Sequence, residues 1–278
     1  MILDTHVHVF PPEIVPNIES YLKKDTFLQM ICKSPGHRYA SLEDVLYEMD
    51  RCGVDKAMVG GFASNHEELN MRMNDYVLEG AQKYPEKILP MISVSPHQNS
   101  MEEEVDRCIA SGAIGVGELF PWGQEFELEG EMADRLARCC EERNLPLLLH
   151  VNEEVGHYYP GKGEVSVKEA AKFAQRYPQL KIIYAHWGGG LLFYELMPEL
   201  KRDLSHVLYD VSAGPFIYLP EVYRVVREIG IMDKILLGTD YPLISPKRYF
   251  CEMEEANLTS QEKEMIKGKN AEVLLGLA

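Results

Sequence analysis

Six side chains able to bind a metal stand at positions where an apolar run would otherwise continue. His6 and His8 lie two apart in MILDTHVHVF. Residues with that spacing on a strand share a face, and Asp4 is expected on the same face one pleat deeper. Glu118 comes in AIGVGEL, His150 in LPLLLHV, His186 in KIIYAHW and Asp240 at the end of KILLGTD. Imidazole and carboxylate are donors that zinc, manganese and iron accept. The chemistry on offer is that of a divalent ion, which lowers the pKa of a bound water to about 7 and polarises a carbonyl. Asp240 is the expected general base, and His186 the group that orients the water or steadies developing negative charge. One strand-end histidine proves little. The other five, His37, His66, His97, His157 and His206, end no such run; four histidines and two carboxylates converging on one mouth would make a metal site.

Convergence needs a scaffold. Eight β-rich runs begin at residues 1, 55, 87, 113, 145, 181, 207 and 234, and from the second onward their starts are 26 to 36 residues apart, room for one helix each. The runs are continuously apolar, as parallel strands covered on both faces should be. Eight such units predict an α/β fold, a (β/α)8 TIM barrel, whose chemistry sits at the C-terminal strand ends. Ser41-x-x-Asp44, Ser100-x-x-Glu103, Ser166-x-x-Glu169 and Thr259-x-x-Glu262 resemble capping boxes. Gly53 and Gly112 fall where C-caps belong, and Pro85 and Pro178 where helices stop. No low-complexity linker divides the chain, so one domain over 1–278 is expected. Residues 11–40 are too many for a simple connection and read as a lid-like insertion, or as a surface insertion with a short packing helix.

The phrases HVH, LLLHV, YAHWGGG, LLGTDYP and IKGKNAEVLLGL resemble the amidohydrolase superfamily, specifically its amidohydrolase 2 branch of metal-dependent hydrolases and decarboxylases. The likeness runs from the first strand to the last helix. It implies a TIM barrel with His6, His8, His150 and Asp240 at the metal. In decarboxylases of the branch, such as aminocarboxymuconate-semialdehyde decarboxylase, these four bind one zinc, and the residue matching His186 contacts the metal-bound water or substrate. Glu118 departs from the carboxylated lysine that many amidohydrolases place after strand 4 and is similar to the glutamate of TatD-type members. It either bridges two ions, with His6, His8 and Asp240 on one and His150 and His186 on the other, or orients a ligand histidine.

Composition narrows the partners. Against 28 Lys and Arg stand 44 Asp and Glu, a net charge of −16, which argues against nucleic acid. No apolar stretch approaches a membrane span or a signal peptide, so a cytoplasmic protein is expected, and a homo-oligomer is open. The six cysteines lack CxxC spacing. AHWGGG has no following Lys-Ser/Thr to make a P-loop, and GxSxG is absent. Loops after the strands offer Trp122, Asn152, His157 and Arg248 to a small, anionic substrate, with solvated surface charge the alternative for any one of them. The expected activity is hydrolysis of an amide, lactone or ester using zinc, one or two ions, with manganese or iron as other choices. The alternatives are a non-oxidative decarboxylase or hydratase of a carboxylated small molecule, and a non-catalytic metal-binding protein.

Overall fold

Each apolar run becomes a strand in the computed structural model, which describes residues 1–34 and 36–277. The strands are β1 (Leu3–His8), β2 (Lys56–Gly60), β3 (Ile88–Ile92), β4 (Gly115–Leu119), β5 (Leu147–Leu149), β6 (Ile182–Tyr184), β7 (Val207–Asp210) and β8 (Ile235–Leu236). All neighbours pair in parallel and in chain order. Backbone bonds from Thr5 N to Leu237 O and from His8 N to Tyr241 O, both 2.7 Å, then tie β1 to the segment leaving β8. The result is the (β/α)8 barrel that the spacing predicts. No helix among the described residues is long and apolar enough to cross a membrane.

The barrel floor is apolar. Leu3, Met58, Met91, Leu148, Ile183 and Leu236 form one buried cluster, closed from below by Ala271 and Leu274 of the last helix. Large side chains fill this end, which leaves the other end to polar residues. Pairing shifts between Asp4 and Val7, and Asp4 lies in register with Ala57, a member of the outer cluster. The alternation that would put Asp4 on the face of His6 is broken, and its carboxylate instead accepts from Thr239 N (2.9 Å) and Oγ1 (2.6 Å).

Ser41, Ser166 and Thr259 form reciprocal capping boxes as expected. Ser100 does not. It stands at the N-cap, but its hydroxyl donates to Glu67 Oε1 at 2.7 Å, a stronger, charged acceptor on the preceding helix. Within the insertion after β1, helical turns form at Val15–Asn17, Ile18–Leu22 and Thr26–Cys32. Buried Asp25 caps the last of these and accepts from Ser64 Oγ, 2.6 Å away, after β2. Phe27 meets Phe120 beyond β4, and Arg38 donates to Pro242 O beyond β8. The insertion therefore lies across the C-terminal strand ends.

The glycines after β6 make a left-handed turn near those ends. Trp187, Gly188, Gly189 and Gly190 all have positive φ, from 58° to 93°. A Cβ on Gly189 would stand 2.5 Å from the carbonyl oxygen of Asn152. Gly189→Ala is expected to cost roughly 2–4 kcal/mol from left-handed backbone strain and this collision. Urea unfolding measures it, and a loss under 0.5 kcal/mol, about the ordinary surface value, would contradict the strained-turn reading. A second prediction concerns Glu252, buried on the helix Pro246–Glu255. Burial pushes its carboxyl up to about 7 against the pull of Arg248, with Glu255 adding to the rise. The folded chain thus holds this proton more tightly than the unfolded chain does. The resulting stability is full below about pH 4.5, falls as pH rises and is lost above about 7. Glu252→Gln should therefore gain on wild type by roughly 1–3 kcal/mol between pH 5 and pH 8 in urea titrations; an unchanged difference would refute it.

Candidate metal centre

β1 ends on His6 and His8, and the bulge before Val7 sets both inside the barrel rim, each 1% exposed. β4 brings Glu118, while His150, His186 and Asp240 follow β5, β6 and β8 by a few residues. His186 and Asp240 both adopt positive φ, 56°, as their loops turn inward. The structure gathers all six into two triads: His6, His8 and Asp240, and Glu118, His150 and His186.

In the first triad His6 Nε2 is 3.0 Å from His8 Nε2 and 3.8 Å from Asp240 Oδ1, which is 3.4 Å from His8 Nε2. In the second, His150 Nδ1 lies 3.0 Å from Glu118 Oε1 and 2.9 Å from His186 Nε2, and His186 Nε2 lies 3.3 Å from Glu118 Oε1. The other carboxylate oxygen, Glu118 Oε2, is 3.3 Å from both His6 Nε2 and His8 Nε2. Donors about 2.1 Å from one ion stand about 3.0–3.4 Å apart at tetrahedral to right angles; the second triad has about this spacing, and so do two of the three pairs of the first, His6 and Asp240 standing wider at 3.8 Å.

Hydrogen bonding supports the fit. His6 Nδ1 lies 2.8 Å from Asp210 Oδ2, so that in the neutral ring, the form that binds a metal, the proton stays on Nδ1 and Nε2 offers a lone pair toward His8 Nε2. Two ring nitrogens 3.0 Å apart, with a carboxylate beside them, suit a cation between them. Burial opposes the charge on Glu118, but the attraction of His6 and His150, with hydrogen bonds from His150 and His186, holds its carboxyl well below the usual range. His6 is raised despite burial, by Glu118 and then Asp210. The pocket thus concentrates negative charge around histidine nitrogens, as a cation site requires.

The strand-end logic missed Asp210 and Ser212. Asp210 ends β7 in VLYDVSA, an acidic residue closing an apolar run, which is the signal that selected the others. Among the substrate-binding expectations, Asn152 follows His150 by two residues beyond β5. It is buried, its Oδ1 accepts from Gly163 N (3.1 Å), and its Nδ2 has no partner. Trp122, 42% exposed, packs over Gly163 and against Phe27. His157 is exposed, its backbone oxygen accepting from Lys162. Arg248 is not brought in: its guanidinium pairs with Glu252 at 3.6 Å on an outer helix. An aromatic wall flanks the triads, Phe62 stacking on His8 at 4.1 Å and Phe120 lying 5.0 Å from His150.

Comparison with known proteins follows this geometry. 5-Carboxyvanillate decarboxylase of Sphingomonas paucimobilis superposes with a TM-score of 0.76 at 15% identity, covering 99% of this chain and 98% of that one. A dihydroxybenzoic acid decarboxylase from a Polaromonas species, solved with manganese and 2-nitroresorcinol, gives 0.71 at 16% identity, covering 99% and 97%. A protein of Acinetobacter baumannii described as a probable 2-pyrone-4,6-dicarboxylic acid hydrolase, solved with citric acid, gives 0.65 at 16% identity, covering 99% of both chains. At these identities the likeness is one of fold. The family assignment comes from the sequence profile of the amidohydrolases, which matches residues 3–277, and the chain belongs to that family.

Proposed function

We propose that the chain is a metal-dependent hydrolase that cleaves a C–N or C–O bond, in an amide, lactone or ester, of a small anionic molecule. The observation that carries this is the division of Glu118, whose Oε2 faces His6 and His8 while its Oε1 faces His150 and His186. One carboxylate shared between two donor sets is the arrangement of a two-ion site. His6, His8 and Asp240 would hold one ion, His150 and His186 the other, with Glu118 between them. Zinc suits the imidazole-rich donors, and manganese, present in the Polaromonas neighbour, is the other candidate. Ions held there supply Lewis acidity, drawing density from an oxygen donor and making water nucleophilic near neutral pH.

The rest is the work of the chain. Asp240, with a side chain 14% exposed, is the most open of the six. Its Oδ1 faces His8, and its second oxygen takes the proton from attacking water and returns it to the leaving group. His186 stands on the opposite triad, where its Nε2 would help hold the second ion beside the substrate oxygen that gains negative charge. Asn152 Nδ2, buried and unpartnered, offers the substrate a hydrogen bond, with the half-exposed Trp122 nearby over Gly163. Phe62 and Phe120 exclude water from one side. A second reading, decarboxylation of a carboxylated molecule on the same scaffold, draws on the decarboxylase neighbours and this aromatic wall.

Elemental analysis after zinc-replete purification should give two ions per chain, and Glu118→Ala one or fewer. Less than one ion in wild type would sink both readings. A panel of carboxylated lactones, amides and esters tests the chemistry. Metal-dependent turnover should fall by about 10²–10⁴-fold in Asp240→Asn, with the metal retained. Full turnover in that variant would remove Asp240 from its role, and CO2 release without hydrolysis would establish the second reading.

A further inference from the structure

Asp210 touches both triads without belonging to either. It is fully buried at the end of β7, and every recorded contact to its carboxylate comes from a hydrogen donor. Oδ2 accepts from His6 Nδ1 at 2.8 Å. Oδ1 accepts from His186 N (3.0 Å), from Ser212 N (3.0 Å) and from the Ser212 hydroxyl. Having given its proton to Asp210, the Ser212 hydroxyl can only accept from His186 Nδ1, 2.8 Å away.

We infer that Asp210 is a positioning residue that sets the tautomers of two histidines in opposite triads, His6 directly and His186 through Ser212. Both rings are thereby made to carry the proton on Nδ1 and the lone pair on Nε2, the nitrogen that faces the other donors. The inference rests on the two-ion reading of the centre. It also divides the two roles between the two carboxylate oxygens, so they can be separated by mutation. In Asp210→Asn, the three donors from His186 and Ser212 require the amide oxygen at Oδ1, which leaves the NH2 facing His6 Nδ1. The amide then donates where it must accept, and His6 is driven to the Nε2–H tautomer, with a proton in place of the lone pair.

The test is calorimetric titration of zinc into EDTA-treated protein. Wild type should bind two ions. Asp210→Asn should bind one near wild-type affinity, with the other weakened by about 10–100-fold, the usual cost of losing a ligand's hydrogen-bond partner. His150→Ala in that background should remove the survivor. Ser212→Ala should weaken the opposite ion and spare the first. Two ions in Asp210→Asn at unchanged affinity, or equal weakening of both, would overturn the inference while leaving the two-ion reading intact. A wild type that binds none would overturn that reading and the inference with it. Because Asp210→Asn can fail to fold, nitrogen-15 histidine spectra of the zinc-loaded wild type give an independent measure. Protons on Nδ1 of His6 and His186 are expected, and an Nε2 proton on either would refute the assignment.

Discussion

The buried carboxylate of Glu118 is the interaction on which the centre depends. At 2% exposure it is surrounded by four imidazoles, with Oε2 turned to β1 and Oε1 to the residues beyond β5 and β6. A carboxylate held this deep is costly unless positive charge and hydrogen donors surround it. That cost fixes where the barrel can close, because β1, β4, β5 and β6 must all deliver a nitrogen or an oxygen to one volume only a few ångströms across. The floor of leucine, isoleucine and methionine below it supplies the rigidity, since a packed apolar layer holds the strand ends against relaxation.

Around that carboxylate the chain builds a graded set of supports. Asp210 and Ser212 hold histidine rings, Asp4 holds Thr239 next to Asp240, and the left-handed glycine turn holds His186 above Asn152. Asp210, Ser212 and Asp4 are buried polar groups whose partners lie within the molecule, as a low-dielectric interior requires. The insertion over residues 11–40 then covers one side of the mouth with Phe27 and Arg38 anchored to the loops beyond β4 and β8. The centre thus combines stiff supports beneath it with a varied rim above.

Most of the architecture was legible in the sequence because parallel strands leave a continuous apolar trace, and a polar residue ending such a trace is conspicuous. His6, His8, Glu118, His150, His186 and Asp240 were found in this way, and the structure brings all six together. Asp210 carried the same signal but was passed over as part of its strand. Asp4 was misplaced on the face of His6 because a bulge leaves no mark in a periodic pattern. Arg248 looked available beyond strand 8, yet Glu252 one helical turn later claims it. Ser100 matched the capping motif, but a charged acceptor from another helix outcompetes its own backbone. These losses share a cause: long-range contacts decide which of several local options a side chain takes.

The central claim, that Glu118 is shared between two ions, is tested most directly by anomalous diffraction from crystals of the manganese- or zinc-loaded protein, with data collected at the metal edge. The account predicts two peaks about 3.5–4 Å apart, one against His6, His8 and Asp240 and one against His150 and His186, with one oxygen of Glu118 on each. A single peak at His6 and His8, with the Glu118 carboxylate turned away from it, would contradict the claim.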